Sequence, residues 1–159
     1  MRLVVADTGP IHYLILIGQI ELLPRLFAQV FLPSVVGDEL AHAEAPHVVQ
    51  AWIANPPQWL TVLETPPPDI TLRSLDDGES AAISLATSVG ADAILMDDRA
   101  GVTAARARGF VVTGTIGILD AAARRRLVDF AQAVERLRRT SFRYPDALLD
   151  DLLKQHGQV

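Results

Sequence analysis

Acidic side chains placed where apolar runs stop are the residues of this chain best suited to chemistry. The run Ala91-Asp92-Ala93-Ile94-Leu95-Met96 ends in two adjacent carboxylates, Asp97 and Asp98, followed by Arg99. A second apolar run, Leu3-Val4-Val5-Ala6, ends at Asp7. Neighbouring acids repel, and partial burial raises the cost of charging them. Such a group persists where water, arginine or a metal ion balances it. Glu39 follows Val35 and Val36 by four and three residues, on one face of the helix that Pro33 opens, so its carboxylate needs a partner. The plainer alternative is a helix-edge glutamate reaching solvent. Glu79 follows Asp76 at capping-box spacing, which accounts for both acids without function. The inward face Ala82-Ile83-Ala86 nevertheless leaves that helix start near the same edge. Asp7, in Asp7-Thr8-Gly9-Pro10, also reads as a turn residue when taken alone.

Carboxylates gathered without sulfur or imidazole select a hard, oxygen-loving cation. The chain has no cysteine, and His12, His42, His47 and His156 show no tight ligand spacing. Mg2+ or Mn2+ is therefore expected rather than zinc. A hard divalent ion with open water positions is the chemistry of phosphodiester cleavage: it activates a water and stabilises the leaving oxygen. It also reverses the local charge, so that a phosphate can approach a cluster of acids.

Short apolar strands must alternate with helices to bring these acids together. Strands are expected at residues 3–6, 30–32, 59–63, 91–97 and 110–113. Helices are expected at 11–17, 20–27, 33–43, 46–54, 76–89, 100–108, 115–127, 128–138 and 145–155. Asn55-Pro56-Pro57, Pro66-Pro67-Pro68 and Gly90 supply stops. The pattern predicts an α/β domain with a mostly parallel sheet. In such sheets ligands bind outside the carboxyl ends of the strands, where Asp7, Asp97 and Asp98 fall.

The 159 residues suffice for one core, and half of them are apolar. Residues 1–98 hold 3 basic and 13 acidic side chains, whereas residues 99–159 hold 11 basic and 6 acidic. All basic residues except Lys154 are arginine, which favours bidentate contacts with phosphate. Arg99, Arg106, Arg108 and the run Arg124-Arg125-Arg126 are thus candidate phosphate contacts; the run also reads as a solvated helix face. The first residues reach Asp7 too soon for a signal peptide, and no apolar run approaches the ~18 residues of a membrane span. A cytoplasmic protein without a membrane partner is expected. Ile15, Leu16, Leu22 and Leu23 read as core, or as one face of a homodimer.

Four segments resemble, in order and spacing, the PIN-domain family of metal-dependent ribonucleases, which includes VapC-type toxins. They are Val5-Ala6-Asp7-Thr8, Leu32-Pro33-Ser34-Val35-Val36-Gly37-Asp38-Glu39-Leu40, Gly78-Glu79-Ser80-Ala81-Ala82-Ile83-Ser84-Leu85-Ala86 and Ile94-Leu95-Met96-Asp97-Asp98-Arg99. Residues 109–119 are similar to one VapC-like prokaryotic subgroup. The resemblance implies a single PIN-like domain over residues 1–159, about five strands flanked by helices, and a helical C-terminal part from about residue 115. It implies a pocket for Mg2+ or Mn2+ built from Asp7, Glu39, Glu79 and one or both of Asp97 and Asp98, with the family pattern pointing more to Asp98. Thr8, and Thr113 or Thr115, would support these acids. RNA is the implied substrate. A small antitoxin would touch the helices around Ile11 to Phe27, or insert an arginine among the acids. Gly9, Val102, Ala123 and Arg126 depart from the subgroup's pattern. An inactive PIN-like module that binds RNA or protein is the competing expectation.

Other acidic α/β sites fit less well. A receiver domain needs a lysine near the sheet, and Lys154 lies in the last helix. A haloacid-dehalogenase-type phosphatase needs an aspartate where Gly9 stands. No phosphate-binding glycine fingerprint is present.

Overall fold

Side chains alternate across an extended strand, and here both faces of each central strand are apolar. Val4, Ala6, Ala93 and Leu95 enter one hydrophobic cluster, whereas Val5, Ile94 and Met96 enter another. A sheet made of such strands must be covered on both sides. The computed structural model describes residues 2–67 and 69–157, so Met1, Pro68, Gln158 and Val159 lie outside the described residues.

The strands are β1 (Leu3–Ala6), β2 (Gln29–Pro33), β3 (Leu60–Leu63), β4 (Ala93–Leu95) and β5 (Val111–Thr113). The helices are α1 (Thr8–Leu16), α2 (Leu22–Leu26), α3 (Ser34–Leu40), α4 (His47–Ala54), α5 (Asp77–Val89), α6 (Arg99–Ala107), α7 (Thr115–Arg124), α8 (Phe130–Arg138) and α9 (Asp146–Gly157). All pairings are parallel, in the order β3-β2-β1-β4-β5. The chain winds outward from β1 through β2 to β3, then crosses to β4 on the other side of β1. The connections leaving β1 and β4 therefore diverge, and their carboxyl ends flank the crevice where α/β sheets bind ligands.

Residues Ile11, Leu14, Leu23, Ile118, Leu119, Leu137 and Leu149 cover one face, joining α1, α2, α7, α8 and α9 in a single cluster. Ala82, Ile83 and Ala86 of α5 and Ala105 of α6 cover the other. The helical part from Thr115 onward thus shares the core of the strands, and the chain forms one α/β domain. Ile15, Leu22 and Leu23 belong to that core and half-buried Leu16 packs against it, in line with the core reading of these residues.

The α5 boundaries follow from local chemistry. Asp76 and Glu79 close a capping box, and Gly90 adopts the left-handed conformation (φ 65°) that ends the helix. The helix expected to start at Val128 begins instead at Phe130, because Asp129 caps it by accepting from the Gln132 N–H at 2.9 Å. A short 3-10 turn, Ile70–Leu72, occupies part of the stretch read as loop. Among the described residues no helix is long and apolar enough to cross a membrane.

Candidate functional site

Each acid reaches the crevice from a different element. Asp7 immediately follows β1, and its N–H continues the ladder by donating to the Leu95 carbonyl at 2.9 Å. It is only 7% exposed. Asp97 and Asp98 follow β4 and Met96. Alternation sends them to opposite sides: Asp97 towards α1 and α7, Asp98 towards α5 and α6. Glu39 comes from α3 and Glu79 from the first turn of α5.

Hydrogen bonds fix most of these carboxylates. Asp97 accepts from both the backbone N–H and the hydroxyl of Thr115, each at 2.7 Å. Glu39 accepts from the Thr8 hydroxyl. Asp98 caps α6, accepting from the Ala100 N–H at 3.2 Å. Glu79 accepts from the Asp76 N–H through Oε1 at 3.2 Å. Its other oxygen, Oε2, is buried without a hydrogen-bond partner among the described residues. Of the threonines expected to support the acids, Thr8 and Thr115 do so. Thr113 contributes its backbone carbonyl to the Met96 N–H at 3.1 Å rather than its hydroxyl to an acid.

Glycines line the acids so closely that a methyl group would not fit. A Cβ on Gly78 would stand 2.8 Å from Glu39 Oε1 and 3.0 Å from Asp7 Oδ1, so these two carboxylates face each other across that point. At Gly101 it would meet Met96 Sδ at 2.5 Å and Glu79 Oε2 at 2.7 Å; at Gly114, Asp97 Oδ1 at 2.6 Å. At Gly9 it would lie 3.1 Å from Asp97 Oδ2. Both Asp97 oxygens are occupied by Thr115.

The resulting cleft measures about 580 Å3 and is lined by Asp7, Thr8, Glu39, Asp76, Asp97 and Asp98, with Tyr13, Arg99, Phe142 and Arg143 around them. Glu79 is not among its lining residues; it stands behind Asp98, 4% exposed. Burial pushes the Asp7 carboxyl up to about 7 against the pull of the Thr8 N–H, with Asp76, Glu39 and Asp97 adding to the rise. Burial also pushes Glu79 up to about 8, helped by the neighbouring Asp98 and Asp76 carboxyls. Asp97 is raised by burial and held back by its two Thr115 hydrogen bonds. Among the described residues none of Asp7, Glu39, Glu79, Asp97 and Asp98 forms an ion pair.

These observations bear on whether a cation fits. The donor set is wholly oxygen, and the orphaned Glu79 oxygen and the opposed Asp7 and Glu39 carboxylates call for positive charge or a proton. The set is open rather than closed: among the described residues no three acidic or histidine side chains stand close enough to hold an ion as placed. As placed, the acids could contact a hard cation only one or two at a time, with water completing its shell.

The candidate phosphate contacts divide. Arg99, at the start of α6, lines the cleft. Arg106 and Arg108 lie towards the other end of that helix, about 10 and 13 Å from Arg99 along its axis, and do not line the cleft. Arg108 is bound to Asp69 at 3.1 Å and to the Thr71 hydroxyl. The Arg124-Arg125-Arg126 run ends α7, far from Thr115; Arg124 pairs with Asp120 at 3.2 Å, and Arg125 donates to the Arg25 carbonyl. Sequence reasoning missed Tyr13, Phe142 and Arg143. Tyr13, on α1, lines the cleft and meets Phe142 edge-on. Phe142 and Arg143 belong to the connection between α8 and α9, which carries no motif.

A family model described as "PIN domain" matches residues 3–158. No curated protein matches the chain.

Proposed function

Because the chain belongs to the PIN-domain family, whose members are typically nucleases, we propose that it is a divalent-cation-dependent endoribonuclease. Asp7, Glu39, Glu79, Asp97 and Asp98 form its reacting pocket in this reading. One observation carries it: acids from four separate elements converge at the sheet's switch point without a cationic partner among the described residues. Structural acids gathered in this way would be costly; acids awaiting a cation and a phosphate are not anomalous.

Mg2+ or Mn2+, when bound, would supply an activated water and positive charge at the scissile phosphate. Asp7, Glu39, Asp97 and Asp98 are the residues that would hold it, directly or through water. Thr115 and Thr8 keep Asp97 and Glu39 in their rotamers. Glu79 stands behind Asp98 with one carboxylate oxygen unpartnered among the described residues, its carboxyl kept protonated to about 8 mainly by burial. Asp7 would have to lose its proton to hold a cation, so affinity should rise with pH through about 7. Arg99 and Arg143, on the lip, meet the phosphates flanking the cut.

The finer reading is a VapC-like toxin acting on RNA in the prokaryotic cytoplasm, as a homodimer neutralised by a small antitoxin. An antitoxin arginine placed among the acids would satisfy them as a cation does. The open arrangement of the acids favours one competing reading, a module that binds RNA or protein without cutting. Incubating the purified chain with single-stranded RNA and Mg2+ or Mn2+, with and without EDTA, separates the two. Cleavage that stops with chelator is expected. Cleavage that survives EDTA contradicts the cation assignment, and binding without cleavage favours the module. Growth arrest on expression, relieved by a small neighbouring gene product, tests the toxin reading.

A further inference from the structure

A second groove opens beside the acid cleft. It measures about 620 Å3 and lies between the end of α1, at Leu16 to Gly18, and the end of α8, at Arg136, Arg139 and Thr140. Ser141 lines both the groove and the cleft, so the two are continuous. The segment between them is anchored: the Tyr13 hydroxyl lies 3.1 Å from Ser141 Oγ, and the Tyr13 ring meets Phe142 edge-on, with centroids 5.0 Å apart. Phe142 and Tyr144 are in turn stacked at 6.1 Å.

Arginines in a helix's last turn are ordinarily explained by the negative charge of the helix end. That explanation covers their presence on α8 but not their place. Arg136 reaches across to donate to the Ile17 carbonyl at 3.4 Å, and Arg139 meets Glu135 only at 3.7 Å on the surface. Both guanidiniums therefore line the groove with donors to spare, next to the hydroxyls of Thr140 and Ser141. Arg143 lines the acid cleft, Ser141 both hollows, and Thr140, Arg139 and Arg136 the groove. An anionic backbone leaving an acidic centre would meet these groups.

We propose that this groove is a phosphate-binding subsite for the RNA strand whose reacting bond lies in the acid cleft. The strand passes over Ser141 to Arg143, and the phosphates beyond the cut are bound by Arg136 and Arg139. The inference rests on the nuclease reading above.

The test uses the full chain and fluorescein-labelled single-stranded RNAs of graded length. The double variant Arg136→Gln/Arg139→Gln should raise KM for long strands about tenfold while kcat falls less than threefold. The penalty should shrink as the strand is shortened. The slope of log affinity against log salt should flatten by about 0.7 for each phosphate contact removed. Arg25→Gln, which removes an exposed charge at the end of α2, serves as the control for net charge and should leave the slope unchanged. Retention of the wild-type melting temperature shows that the double variant is folded; if it is not, the single variant Arg139→Gln should give half of the slope change. An unchanged slope and KM, in a wild-type protein that does cut RNA, overturns the subsite and leaves the nuclease reading standing. A wild-type protein that cuts no RNA with either cation defeats the nuclease reading instead.

Discussion

The carboxyl end of the sheet and the opposite end treat charge in contrary ways. At the far end charges are paired off. Asp69 is held below the usual carboxylate range by hydrogen bonds from Thr71, with Arg108 adding to the effect. Arg124 faces Asp120, and His156 lies 2.7 Å from the same carboxylate. At the near end three buried or half-buried acids are pushed upward, and none has a cation beside it. The difference separates surface electrostatics from a site. Paired charges satisfy one another and ask for nothing, whereas unpaired buried acids hold the fold in a state that a ligand would relieve.

The sharpest way to break this contrast is to remove a near-end charge. Asp7→Asn should lower RNA cleavage at least about 100-fold, the order of loss seen when one group stabilising a reacting centre is removed. It should also abolish any thermal shift produced by Mn2+. Without metal, at pH 8, the variant should melt above the wild type, because an uncompensated buried charge has gone. Kinetics and thermal melting check both halves; a variant less stable than the wild type and still active would remove the contrast.

The glycine cradle offers the next largest effect. In an ordinary helix Gly→Ala gains up to about 1 kcal/mol. Gly101→Ala should instead cost about 1–3 kcal/mol, as overpacking does, because the new methyl meets Met96 Sδ and Glu79 Oε2. Chemical denaturation measures the sign. Stabilisation would mean that the acids are loosely held and the near end is not built to fine tolerance.

Proton linkage gives a smaller, directional effect. Asp7 and Glu79 have higher pKa values in the folded protein, about 7 and about 8, than in the unfolded chain. The folded state therefore binds more protons between about pH 4 and pH 8. Stability from these groups is fully present below their unfolded values and is lost as pH rises through 7 to 8. Metal-free protein should melt progressively lower from pH 5 to pH 8.5, and Mn2+ should restore most of the loss at the alkaline end. A metal-free melting temperature that rises across this range contradicts the assignment. At the far end Arg108→Ala should scarcely move the melting temperature or the cleavage rate, because an exposed pair adds little.

The strands and the positions of Asp7, Asp97 and Asp98 were legible because apolar runs ending in an acid leave few other interpretations in a parallel sheet. The start of α5 was legible too, and ambiguous for a physical reason. Glu79 both closes the capping box through Oε1 and leaves Oε2 buried behind Asp98, so local and tertiary roles share one side chain. The faces taken by Asp97 and Asp98 followed from alternation, but their partners did not, since Thr115 and Glu79 are brought up by crossovers. Arg124-Arg125-Arg126 shows the opposite case: a conspicuous run of which Arg124 pairs with Asp120 and Arg125 bonds the Arg25 carbonyl, away from the cleft. Phe142 and Arg143 left no trace in the pattern, because a connection between helices has no period to read, and Tyr13 reads within α1 as an ordinary partly buried aromatic.

The central claim is that these acids await a hard divalent cation, and diffraction from crystals soaked in Mn2+ tests it most directly. The account predicts an anomalous peak within coordination distance of Asp7, Glu39, Asp97 or Asp98, lost in Asp7→Asn. Saturating Mn2+ that leaves the cleft without a peak, or that binds only elsewhere on the surface, would contradict it.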